Sequence, residues 1–263
     1  MKMNRTIAFL IIVSLILANC SSSKKTVYNK SANPTYEVSF DTLKLFDQSR
    51  SREVPIALFK PKHYTNRDPQ QVVVFSHGYG QNKANSYLAY SYLTKFLASK
   101  GYFVASIQHE LKTDSLIPST GIPQIVRRSF WDRGADNIFF VLNELKKSNP
   151  SLDFKHITLI GHSNGADMTA LFAQKYPNVV TKIITLDNRR MALPRAAQPT
   201  VYSLRSSDQP ADDGVLPTHE EQKRFGITII QLPNTKHNDM DDSGSVRQHG
   251  EINNYVLQFL SKK

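Results

Sequence analysis

Cysteine is nearly absent from the chain: Cys20 is the single one in 263 residues, and that scarcity excludes several chemistries at once. No internal disulfide can form, and the rest of the chain offers neither a catalytic thiol nor a thiolate-based zinc site. Long apolar runs are lacking too. The most apolar stretch, Ile7–Leu17, is too short to span a bilayer stably as a helix. There is no internal repeat, no second domain boundary, no basic-aromatic pattern of the kind that binds RNA, and no paired zinc ligands. No metal site or cofactor site is therefore expected, and no nucleic-acid partner. Acidic side chains are in the minority, 22 against 33 basic ones, for a net charge of +11. An apolar content of 40% with 21% charged residues is ordinary for a globular protein and argues against disorder.

At the amino terminus a short basic region, Met1–Arg5, precedes the apolar run, and Leu17-Ala18-Asn19-Cys20 closes it. Residues 1–19 look like a signal peptide. The closing tetrapeptide resembles the bacterial lipoprotein box, in which the cysteine becomes the lipidated first residue, although Asn19 departs from the usual small residue there. The expectation is export to the bacterial cell envelope, attachment to a membrane through lipidated Cys20, and a polar tether over residues 20–34. Loss of Lys2 and Arg5 with the signal leaves 31 basic against 22 acidic side chains, a net of +9 suited to anionic head groups.

Residues 35–263 read as one α/β domain. Alternating residues over 36–46, and again over Val54–Phe59, suggest an opening antiparallel pair, and the short apolar run Val72–Phe75 suggests a strand buried on both faces. Helical spacing over 84–97, stopped at Lys100-Gly101, leads to a strand at Tyr102–Ile107. The alternation continues with a helix over 132–147, a strand at His156–Ile160, a helix over 164–176, strands at Val179–Leu186, Thr200–Leu204 and Ile227–Leu232, and a final amphipathic helix over 246–260. Right-handed crossovers then imply a mainly parallel sheet with helices on both faces.

Within that frame, Gly161-His162-Ser163-Asn164-Gly165 fits G-x-S-x-G and falls between a strand and a helix. Such a turn leaves no room for side chains at its glycines and presents the serine above the sheet. His162, at the variable position, is read as packing. The Asn164 amide at the start of the helix is a candidate oxyanion donor, and the loop His77-Gly78-Tyr79-Gly80 supplies a second in the Tyr79 amide, with His77 as an orienting residue. A serine hydroxyl needs a histidine to take its proton and a carboxylate to orient that histidine. Among eight histidines, His237 alone lies in a loop a few residues beyond a late strand. The acid is assigned to Asp208, in the loop after strand 200–204, with Asp187 at the end of strand 179–186 as the competitor, and Asp212 and Asp213 sharing the Asp208 loop.

These motifs resemble the α/β-hydrolase superfamily over about residues 35–263, and compact bacterial esterases and lipases within it. The resemblance implies an eight-stranded sheet, a Ser163–Asp208–His237 triad in the order of that fold, and hydrolysis of acyl esters through an acyl-enzyme. The segment 187–195, where many relatives carry a large cap, is short, so a minimal cap is expected. The stretch from His109 to Phe130 could form a modest lid, its Leu111, Leu116, Ile117, Ile122 and Ile125 lining an acyl pocket and Arg127-Arg128 meeting an anionic group, or could pack as a surface loop. A fairly open site for small or medium acyl esters follows. Serine peptidase or acyltransferase activity at the same site, and a lipid-anchored binding protein without chemistry, are the alternatives.

Overall fold

The computed structural model describes residues 35–262; the signal-peptide, tether and Cys20 expectations lie outside the described residues. The chain opens with β1 (Val38–Asp47) and β2 (Arg52–Pro61), then β3 (Gln71–Ser76), α1 (Ser91–Ser99) and β4 (Phe103–Ile107). A short α2 (Pro123–Val126) leads directly into α3 (Arg128–Ser148), β5 (Asp153–His162) and α4 (Asn164–Lys175). Then come β6 (Lys182–Leu186), β7 (Thr200–Arg205), α5 (His219–Phe225), β8 (Thr228–Gln231) and α6 (Val246–Ser261).

The eight strands form one sheet in the order β1-β2-β4-β3-β5-β6-β7-β8. β1 and β2 pair antiparallel with each other, as does β2 with β4, and every pairing from β4 through β3 to β8 is parallel. Parallel strands require crossovers, and the helices supply them on both faces. Side-chain alternation sorts the core into two layers. Val72 and Val74 of β3 join Trp131, Ile138, Val141 and Leu145 of α3 and Met168 and Phe172 of α4 on one face. Val73 and Phe75 of the same strand join Leu93 and Leu97 of α1 and Ile252, Val256 and Phe259 of α6 on the other. β4 is buried along its whole length, which is why apolar residues stand on both of its faces, Ser106 apart.

Two helix starts differ from the periodicity. Helical spacing from 84 extends across a 3₁₀ turn at Ser86–Leu88, because Asn85 adopts a left-handed backbone (φ 68°), and regular α-helix begins only at Ser91. α3 begins four residues before 132, since α2 feeds it without an intervening loop. α4 is buried at every position from Asn164 to Ala173, held between α3 and the sheet. Its close approach explains Gly165: a Cβ there would lie 2.3 Å from the Ser76 carbonyl oxygen and 2.4 Å from that of His77, backbone atoms with nowhere to move.

Candidate active site

Three parallel strands deliver the central residues at one end of the sheet. β5 runs to His162, and Ser163 follows it as the residue before α4, with φ 51° and ψ −119°, a conformation that L residues rarely adopt. β6 ends at Leu186, and Asp187 follows it with φ 57°. β8 ends at Gln231, and His237 opens a 3₁₀ turn six residues later. The turn at Ser163 is tied to its neighbour strand, its amide donating to the Leu186 carbonyl at 2.9 Å, while the Asp187 amide donates to the Leu204 carbonyl at 2.8 Å.

The His237 ring joins the other two. Nε2 lies 2.9 Å from Ser163 Oγ, and Nδ1 lies 2.5 Å from Asp187 Oδ2. With Nδ1 donating to the carboxylate, Nε2 keeps its lone pair towards the serine hydroxyl. Asp187 is fully buried. Burial by itself raises a carboxyl pKa, but the His237 ring, the Arg205 guanidinium and both the amide and hydroxyl of Ser206 overcome it and hold Asp187 below the ordinary aspartate range. Ser206 donates its amide to Oδ1 at 2.9 Å and its hydroxyl to Oδ2 at 2.7 Å, and Arg205 Nη2 stands 2.9 Å from Oδ1.

Asp208, the carboxylate expected on the imidazole, is not there. It lies three residues beyond β7 on the exposed side of its loop and accepts the backbone amide of His237 at 2.7 Å, so it holds the loop instead of the ring. The reason is the sheet order: β6 adjoins β5, so the first residue after β6 lies next to the serine turn, whereas the loop after β7 starts one strand further out. Asp212 is turned away to Arg190.

The segments that carry the expected oxyanion donors both adjoin Ser163. Asn164 is the first residue of α4, where an amide has no partner within the helix. Gly78 packs so closely that a Cβ on it would lie 3.4 Å from Ser163 Cβ, which brings the loop 77–79 against the serine. Among the described residues, neither the Tyr79 nor the Asn164 amide donates to another protein group. The Tyr79 hydroxyl accepts the Ile117 amide at 3.0 Å and so anchors the stretch from His109 to Phe130. Ile117 is buried there, while Leu116, Ile122 and Ile125 are exposed.

His162 does more than fill space. It is buried, and its Nε2 lies 3.1 Å from the His237 carbonyl oxygen, to which it donates. Its Nδ1 accepts the Tyr90 hydroxyl at 2.7 Å, and the Tyr90 oxygen accepts the Gly78 amide at 3.0 Å. One chain of hydrogen bonds thus runs from the Gly78 loop to the backbone of His237. Burial, with the neighbouring His237 ring, lowers the His162 pKa to about 3, which keeps it neutral at any ordinary pH. The sequence pattern did not signal this link, nor Trp131, whose indole Nε1 donates to Asn164 Oδ1 at 2.8 Å. Among the described residues no group of acidic, histidine or cysteine side chains is arranged to hold a metal ion.

No family model matches the chain. A protein of Acanthamoeba polyphaga mimivirus, named as an α/β hydrolase, is 24% identical over 254 residues, covering 87% of this chain and 88% of that one. Among solved structures, a dienelactone hydrolase-like promiscuous phosphotriesterase from metagenomic libraries superposes with a TM-score of 0.61 at 16% identity, over 85% of this chain and 98% of that one. A bacterial heroin esterase superposes with a TM-score of 0.59, also at 16% identity, over 86% and 85% of the two chains. The fold is that of the α/β hydrolases.

Proposed function

We propose that the protein is a serine hydrolase that cleaves small or medium acyl esters, with Ser163 as nucleophile, His237 as base and Asp187 as the acid that orients it. The observation that carries this reading is the continuous contact from Ser163 Oγ to His237 Nε2, at 2.9 Å, and from His237 Nδ1 to Asp187 Oδ2, at 2.5 Å. In this mechanism His237 removes the hydroxyl proton as Oγ attacks the ester carbonyl, and the carbonyl oxygen gains negative charge between the Tyr79 and Asn164 amides. The imidazolium next protonates the leaving alcohol. Water, deprotonated by the same ring, then releases the carboxylic acid and restores Ser163. Asp187, kept ionised by its buried partners, stabilises the imidazolium at each stage. The esterase names of the structural neighbours favour esters over other acyl substrates.

The test is labelling with a fluorophosphonate, alongside hydrolysis of 4-nitrophenyl esters of graded chain length by protein lacking residues 1–20. A single adduct at Ser163 and turnover of the shorter esters are expected; folded protein that neither reacts nor turns over any ester would refute the reading.

The same proposal places the enzyme at a membrane through lipidated Cys20. The full chain is expected in the membrane fraction and Cys20→Ser in the soluble fraction, each judged by ester turnover. Equal sedimentation of the two would remove the anchor.

A further inference from the structure

Behind the serine turn lies a buried carboxyl that the mechanism above does not use. Glu110 follows β4 by three residues and is 1% exposed. Its Oε1 accepts a hydrogen bond from Asn164 Nδ2 at 3.0 Å. Its Oε2 has no hydrogen-bond partner and stands 3.6 Å from His77 Nε2. Asn164 and His77 open the two segments that carry the oxyanion donors: Asn164 supplies one amide itself, and His77 precedes Gly78 and Tyr79. We propose that Glu110 is a positioning residue that fixes both arms of the oxyanion pocket, through the Asn164 side chain on one side and the His77 ring on the other. This rests on the esterase reading and names a further residue for it.

The His77 ring is itself held at both nitrogens. His77 Nε2 accepts the His109 amide at 3.1 Å, so its lone pair is turned inward, and the ring proton sits on Nδ1, 2.6 Å from the Gly78 carbonyl oxygen. Oε2 meets the ring edge across 3.6 Å, a packing contact and not a hydrogen bond, because the Nε2 lone pair is already taken by the His109 amide. Burial raises the Glu110 pKa, opposed by any positive charge on His77 and by Arg133. Arg133, from α3, lies 3.4 Å from Asp114, which also pairs with Arg52 of β2 at 2.7 Å, and Asp114 itself works to raise the Glu110 pKa. His109, adjacent in sequence, is 1% exposed with neither ring nitrogen partnered, and its pKa is pushed well down by burial and then by His77, so it brings no charge. Tyr90 completes the wall, and burial holds its hydroxyl in the neutral form.

The upward direction of the Glu110 pKa suits this place, because a full negative charge beside the two segments would oppose the charge that develops on the substrate. Glutamine has the same shape, accepts from Asn164 through its carbonyl, and never ionises.

The experiment compares wild type, Glu110→Gln and Glu110→Leu on a 4-nitrophenyl ester, measuring kcat, KM, and unfolding temperature as a check on folding. Glu110→Gln is expected to keep kcat within about threefold, because its carbonyl still accepts from Asn164. Glu110→Leu is expected to lower kcat by about 10²-fold with KM changed by less than about threefold, because both donor amides lose their support. A folded Glu110→Leu with wild-type kcat would overturn the proposal, as would Glu110→Gln failing as badly as leucine. These outcomes leave the esterase reading intact. A wild type inert to esters and to fluorophosphonate removes that reading, and this inference with it.

Discussion

Ser163→Ala is expected to lower kcat for ester hydrolysis by about 10⁶-fold while the protein remains folded, since the proposed nucleophile is lost and the core beneath it is untouched. The residual rate measures what the two amides and substrate binding accomplish alone. The same position offers a second, independent reading. Ser163 is held at φ 51°, ψ −119°, and alanine at that site keeps the unfavourable backbone while glycine relieves it. Ser163→Gly should therefore be as inactive as the alanine variant yet more stable by about 1 kcal/mol in urea unfolding, the relief exceeding the entropy that glycine adds to the unfolded chain. Active-site titration checks the first half and denaturation midpoints the second. A Ser163→Ala protein with kcat within about tenfold of wild type would mean that the hydroxyl is not the attacking group.

Asp187→Asn is expected to cost about 10⁴-fold in kcat, with little change in KM. The amide cannot accept the Nδ1 proton in the way the carboxylate does, so the ring favours the tautomer that points a proton at Ser163, and the imidazolium loses its counter-charge. A second consequence is structural: Arg205, 4% exposed, would lose its only ion-pair partner among the described residues, so some loss of stability accompanies the loss of rate. Asp208→Asn provides the contrast. It weakens one bond to the His237 amide, 2.7 Å long, and leaves the ring's own partners in place, so kcat should fall by less than about tenfold. The reverse ranking of the two asparagine variants, each shown to be folded, would return the acid's role to Asp208.

The uneven success of reading these two aspartates from sequence has a physical origin. Apolar periodicity reports which residues are buried along one element, and the strand, tight glycine turn and helix around Ser163 are a local pattern of that kind. His237 was reachable by the same means, because a loop just past the last strand of a parallel sheet opens at the sheet's working end. Choosing between Asp187 and Asp208 needed something else. Both follow late strands, and the difference lies in sheet order and in how far the 233–236 loop folds back towards β5, which are tertiary facts with no local signature. Glu110 was unreadable for the same reason. It lies 54 residues from Asn164 in sequence, and its partners there and at His77 come together only when β3, β4 and β5 are side by side. The start of α1 is equally hidden from the sequence, because a left-handed Asn85 interrupts an apolar spacing that looks continuous.

The stretch between β4 and α3 stands apart from all of this. Its inner side is fastened by the Ile117 amide on Tyr79 and by Gln124 reaching the Arg190 carbonyl at 3.2 Å, while Leu116, Ile122 and Ile125 face outward, more than half exposed. Asp187 and His237 are buried in the core, whereas these three apolar side chains face solvent. Under the proposed function, the outward side chains of that stretch can therefore be rewritten with the groups beneath them left as they are.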